Sequence, residues 1–253
     1  MLQNPDSTDL ATPGATEPYT THWKVGRDQS NCIMRRLSLK IGLVVILLSP
    51  LVYAEDPIRY DPASQPVIES RLQKYGGNDK QREETLRQMF SQAGCDDVHL
   101  SQQAVKGSKL SNVICVLPGS TNRVVIVGAH FDHISAGDGV VDNWSGAALL
   151  PSIYEALKSE PRKHTYIFIG FTDEERGEVG SRYYVRTMTP EQVAATDAMV
   201  NMDTLGLGST EIWSSHSDNK LIAALGLVAS LMKSPVSAVD VDQNRQFRFG
   251  SVF

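Results

Sequence analysis

The chain has 253 residues, 41% of them apolar and 21% charged, with a net charge of −5 at pH 7 and a pI near 5.7. That length and balance fit one sizeable globular domain, and the acidic surface excludes the basic footprint of a nucleic-acid binder. No internal repeat shows at the periods of solenoids or propellers.

Residues 1–33 are polar, rich in Thr, Pro, Asp and Asn, and have no periodic apolar face. Such a segment buries too little apolar surface to offset the entropy of ordering, so it reads as a disordered extension ahead of an internal start at Met34. From Met34 the pattern changes. Arg35, Arg36 and Lys40 precede an apolar run from Ile41 to Leu48, Pro50 breaks it, and Val52-Tyr53-Ala54 forms a small-residue cleavage site. Residues 34–54 therefore read as a secretory signal peptide, with the mature chain starting near Glu55 and exported to the periplasm or medium. The competing reading, a membrane anchor, is disfavoured because the run from Ile41 to Tyr53 falls short of the roughly 20 residues a bilayer crossing needs. Cys32 precedes the cleavage site, whereas Cys95 and Cys115 follow it. Export permits disulfides, and a Cys95–Cys115 bridge and two reduced core cysteines are both open.

In the mature chain, Val67, Ile68, Leu72 and Tyr75 predict a helix over 64–75. Asn78 caps a second helix that Gly94 ends. Strands follow at 98–102, 111–119 and 123–130, the last apolar enough to be buried on both faces. A helix is predicted over 145–160 despite Pro151, a buried strand over 164–171, helical structure over 181–188, strands over 197–203 and 210–215, and a helix over 218–233. Strands alternating with helices predict an α/β fold: a mostly parallel or mixed central sheet flanked by helices on both faces. In such sheets ligands gather at the carboxyl ends of strands.

Three strands end in acids or histidine, in "GAHFDH", "FTDEERG" and "VNMD", and the loop "GDGVVDNWSG" adds more acids. His130, Asp142, Glu175 and Asp203 make a donor set suited to zinc, or less selectively to manganese or cobalt. Two zinc ions side by side would share a carboxylate and would need a base nearby that binds neither. Glu174 and Glu175 are neighbours whose side chains diverge, so one can ligate while the other takes a proton from water. Asp132 can hold the His130 imidazole in one tautomer. His133 is placed between pocket lining and a solvated loop. His99 and His164 read as structural or exposed, Asp138 and Asp173 as loop chemistry, and Trp144 and Tyr183 as packing.

In combination, "GAHFDHISAGDGVVDNWSGAALL", "FTDEERGEVGSRYYV" and "VNMDTLG" resemble the metal-site segments of the M28 family of zinc metallopeptidases, over roughly residues 60–245. The resemblance implies a zinc exopeptidase fold and a peptide substrate. It implies that His130 and Asp203 bind one zinc, Asp142 bridges two, Glu175 binds the second, Glu174 is the general base and Asp132 orients His130. It also implies a cis peptide between Asp142 and Asn143. Residues 55–253 would be the catalytic domain. The family's second zinc takes a late histidine, and none follows His216 here, so the resemblance implies a domain incomplete at its C-terminus, with the last strands missing. An aminopeptidase is the expected activity, with a carboxypeptidase left open. A glutaminyl cyclase-like zinc transferase and a catalytically dead remnant are the alternatives.

Overall fold

The computed structural model describes residues 63–234 and 236–240. The extension expected at 1–33, the signal peptide expected at 34–54 and the terminal stretch from 241 lie outside the described residues. Helices α1 (Gln65–Leu72) and α2 (Asp79–Ala93) lead into strands β1 (Leu100–Ala104), β2 (Ser111–Leu117) and β3 (Val124–His130). Helix α3 (Ser145–Lys158), strand β4 (Thr165–Phe171), helices α4 (Val179–Thr187) and α5 (Pro190–Ala195) and strand β5 (Thr196–Asn201) follow. Strand β6 (Thr210–Trp213), helix α6 (Asn219–Leu231) and strand β7 (Val236–Val239) complete them.

The central sheet has five strands in the order β1-β2-β4-β3-β5. Strands β3, β4 and β5 are parallel, with β4 and β5 on either side of β3, whereas β1–β2 and β2–β4 run antiparallel. The sheet is thus mixed, and the sequence contains the reason. A parallel neighbour needs a crossover of a dozen or more residues. Such crossovers occur after β3 and β4, but only a short link joins β1 to β2. The two parallel strands β6 and β7 form a separate sheet.

Successive side chains point to opposite faces as a pleat requires, and the carboxyl ends of β3 and β4 are buried on both. Val113, Cys115, Val127 and Phe168 point to the face covered by α1, α2 and α3, where Leu86, Phe90, Leu150 and Tyr154 meet them. Phe90, Tyr154 and Phe168 pack with ring centroids 5.8–6.5 Å apart. Truncating Phe168 to Ala there would cost about 3–5 kcal/mol. Ile126, Ile169 and Phe171 point the other way, against Tyr184 of α4 and Met188. Helices therefore cover both faces. Helix α2 starts on a reciprocal capping box between Asn78 and Gln81. Cys95, just past α2, is bonded to Cys115 in β2.

Three differences from the sequence reading bear on the site. Strand β5 stops at Asn201, where its pairing with Gly128 ends, so Asp203 sits on the loop beyond the strand rather than in it. Residues 140–144, read as loop, form a kinked turn, non-helical at Asp142 and Asn143, that runs directly into α3. Helix α5, over a stretch the sequence reading left unassigned, has a capping box between Thr189 and Gln192.

Candidate metal centre

Because β3, β4 and β5 run parallel, their carboxyl ends share one edge of the sheet. Three chain segments leave that edge side by side. His130 is the last residue of β3, paired with Phe171 at the end of β4. Glu174 and Glu175 follow in the turn after β4, and Asp203 follows β5. Asp142 comes from the turn that opens α3, and a cis peptide joins it to Asn143.

The His130 ring is 3% exposed, and its Nε2 lies 3.1 Å from Asp142 Oδ1, 3.7 Å from Asp203 Oδ1 and 3.8 Å from Glu174 Oε2. One donor atom from each of His130, Asp142 and Asp203 falls within 4.8 Å of the other two. Among the described residues no Lys or Arg pairs with Asp142, Glu174 or Asp203. Converging acids with His130 as their one basic partner among the described residues leave a net negative charge that a divalent cation would neutralise. One imidazole and two carboxylates suit zinc, with Glu174 beside them. The residues present therefore fit one ion. Glu175 lies outside this group of three, though its carboxylate interacts with Asp142 and His130.

Electrostatics agree with the geometry. Burial pulls the His130 imidazolium down, but Asp132, Asp142 and Asp203 outweigh it and push the group up to about 12. Burial pushes Glu174 up to about 7, with Asp203, Glu175 and Asp132 adding to it and His130 opposing. A carboxylate near neutrality is suited to take a proton and give it back. Burial also raises Glu175, followed by repulsion from Asp142.

Asp132 does more than face the imidazole. His130 Nδ1 lies 3.2 Å from the main-chain oxygen of Asp132 and 3.6 Å from its carboxylate. That carboxylate accepts the backbone N–H of Glu174 at 3.0 Å through Oδ1 and that of Glu175 at 3.1 Å through Oδ2. One buried acid thus fixes the turn carrying both glutamates to the end of β3. Asp173, at φ 53, holds the same turn through an ion pair with Arg176.

Asn143 is a residue whose role the sequence reading missed. It is fully buried. Its Nδ2 donates to Met202 O at 2.9 Å, and its Oδ1 accepts from Gly146 N at 3.1 Å and Thr204 N at 3.3 Å. Ser145 Oγ accepts from Leu205 N alongside. These bonds tie the Asp142 turn to the Asp203 loop. The approach is close enough that a Cβ on Gly146 would stand 2.6 Å from Met202 O. A signal was available, since an Asn directly before the apolar start of a helix invites a backbone hydrogen bond.

The other histidines fall elsewhere. His133 pairs with Asp79 of α2 at 2.7 Å, His99 with Asp96 and His164 with Asp197, and His216 packs edge-on against Trp213. Trp144 is fully buried and donates to Arg71 O, as a packing residue would.

The model for peptidase family M28 matches residues 112–251, more than half of the chain. The chain belongs to peptidase family M28. The M28 match spans the strands and turns that bring His130, Asp142, Glu174 and Asp203 together. An aminopeptidase from Pseudomonas aeruginosa is 34% identical over 119 residues, 46% of this chain and 22% of that protein. Leupeptin-inactivating enzyme 1 from Streptomyces exfoliatus is 34% identical over 99 residues, covering 38% and 22%. The chain spans about a fifth of the length of these curated relatives. Among solved structures, a glutaminyl cyclase from an Acidobacteriales bacterium superposes with a TM-score of 0.57 at 16% identity, covering 72% of this chain and 75% of that one. LapA from Legionella pneumophila gives 0.55 at 19%, covering 68% and 53%. These likenesses establish the fold, a mixed sheet between helices.

Proposed function

We propose that this M28 chain is a zinc-dependent exopeptidase of the aminopeptidase type, acting on peptide substrates. The observation carrying the proposal is the convergence of His130, Asp142 and Asp203 on one point with Glu174 beside it. His130, Asp142 and Asp203 would hold one zinc ion; a second, which the described residues do not complete, would draw on Asp142 and Glu175. Bound there, zinc supplies Lewis acidity towards the scissile carbonyl and lowers the pKa of water. Glu174 takes a proton from the attacking water and returns it to the leaving amine. Asp132 keeps Glu174 in reach by binding its backbone N–H. The names of the curated relatives support aminopeptidase over cyclase chemistry, which the fold alone does not separate.

We further propose export. The signal-like pattern of residues 34–54 supports it, and so does the Cys95–Cys115 bridge, because such bonds persist in oxidising compartments. No helix among the described residues is long and apolar enough to cross a membrane.

The test is direct. The purified chain, loaded with zinc, is assayed with a panel of aminoacyl nitroanilides and, in parallel, for cyclisation of a glutaminyl peptide, and its zinc content is measured. Release of nitroaniline with bound zinc supports the proposal. Cyclisation without amino-acid release would replace it with the transferase, and absence of both zinc and turnover would leave a catalytically dead remnant.

A further inference from the structure

Arg82 stands on the core side of α2, 1% exposed; among the described residues no carboxylate is at hydrogen-bond distance, although Asp79, Asp132 and Asp138 act on its charge from further off. Its donors go to main-chain oxygens instead. Nε donates to Tyr75 O at 2.9 Å, Nη1 to Phe131 O and Gly139 O at 3.3 Å each, and Nη2 to Asp138 O. The guanidinium carbon lies 5.6 Å from the centroid of the buried Trp144 ring. Burying a guanidinium is costly. A side chain serving only to fill the space under α2 could be apolar.

The atoms it binds identify its task. Phe131 stands between His130 and Asp132. Asp138 and Gly139 begin the approach to Asp142, and Gly139 O also accepts the N–H of Trp144. Arg82 therefore grips both ends of the loop that leaves His130 and returns to Asp142. The contact is tight on the loop side too: Gly139 has φ +52, and a Cβ there would lie 2.9 Å from Arg82 Nη1 and 2.4 Å from His133 Cβ. A planar fork can span three carbonyls in different directions, which a lysine ammonium at the end of a flexible stem cannot do with the same reach.

We propose that Arg82 is a positioning residue for the metal centre: its guanidinium fixes the 131–139 loop so that Asp142 faces His130, and so sets zinc affinity. The inference rests on the zinc reading above. Arg82 touches neither ion nor substrate; it acts through the loop. Partners that orient metal ligands from behind typically change affinity by about 10–100-fold when removed.

The experiment compares the full wild-type chain with R82K, G139A and R71Q. Arg71 is the control: it is a buried arginine of α1 whose side chain binds Ser152 and Glu155 of α3 rather than the loop. Zinc affinity is read by competition with a chromogenic chelator, and loop order by hydrogen exchange over residues 131–144. R82K is expected to bind zinc about 10–100-fold more weakly and to exchange faster over 131–144. R71Q is expected to melt earlier with zinc affinity unchanged. A folded R82K with wild-type zinc affinity overturns the proposal, as does an R71Q weakened equally. If R82K does not fold, G139A decides, because it presses on the same contact with the guanidinium in place; unchanged affinity in G139A overturns the proposal. If the wild-type chain takes up no zinc, the zinc reading falls separately. Exchange then decides, and an R82K as protected as wild type over 131–144 overturns the positioning role.

Discussion

Replacing Asn143 with Ala tests the joint between the Asp142 turn and the Asp203 loop. The substitution removes one donor bond to Met202 O and two acceptor bonds, from Gly146 N and Thr204 N. Each intramolecular hydrogen bond is worth about 1 kcal/mol net, and a buried group left unpaired costs about 1–3 kcal/mol. Three such bonds give an expected loss of about 3 kcal/mol. For a domain of this size that corresponds to a fall in Tm of about 6–12 °C. Urea unfolding of the metal-free chain, followed by circular dichroism, measures the loss without interference from zinc. Zinc affinity should fall as well, because Met202 and Thr204 flank Asp203. A change below about 1 kcal/mol with wild-type zinc affinity would refute the view that Asn143 joins these loops.

Glu174→Gln should retain zinc and lower turnover by about 10²–10⁴-fold, the usual worth of a positioned proton carrier; a near-normal kcat would remove the base assignment. Asp142→Ala should lose zinc on dialysis, and full retention of zinc would end its role as a ligand. In the metal-free chain the raised pKa of His130 means that its contribution to stability is complete below the ordinary value of 6.5 and is lost as pH rises towards about 12. Zinc needs the neutral imidazole, so binding near pH 7.5 should release about one proton from His130. Calorimetry in buffers of different ionisation enthalpy reads that number, and no release would contradict the assignment. Changing both Cys95 and Cys115 to Ala removes a cross-link closing a loop with a sequence separation of 20, which should lower stability by about 3 kcal/mol. Equal urea midpoints would show that the bridge contributes nothing.

The parts of this molecule legible in its sequence are those written locally. The apolar runs at Val124–His130 and Thr165–Phe171 predict buried strands, and β3 and β4 are the adjacent parallel strands of the sheet core. His130 stands at the end of one such run, while Asp142 and Asp203 lie on loops, and in the structure one donor atom from each of the three falls within 4.8 Å of the others. Neighbour choice is not written locally. Nothing in "SNVICVL" states that β2 lies against β4, antiparallel, rather than beside β3. Strand β7 is four residues long and pairs with β6 across a helix, so it leaves no periodic signal. Helix α5 did carry one, the Thr189-to-Gln192 capping pattern. Arg82 sits among the charged residues of "DKQREETLRQ", where a solvated helix face is the ordinary expectation. Its burial depends on a loop some fifty positions away, which no local pattern encodes. The carboxylate of Asp132 likewise finds the Glu174 and Glu175 amides only through the β3–β4 pairing.

The parallel ladder has one more consequence, for how the centre comes into being. His130, Glu174 and Asp203 reach one another only when β3 has found both of its flanking strands, and each pairing closes a long stretch of chain. His130, Asp203 and the base Glu174 therefore cannot be assembled in an early collapsed species that holds the helices alone. Zinc added during refolding should bind late, after the ladder has formed, making metal capture a reporter of complete sheet assembly instead of a seed for it.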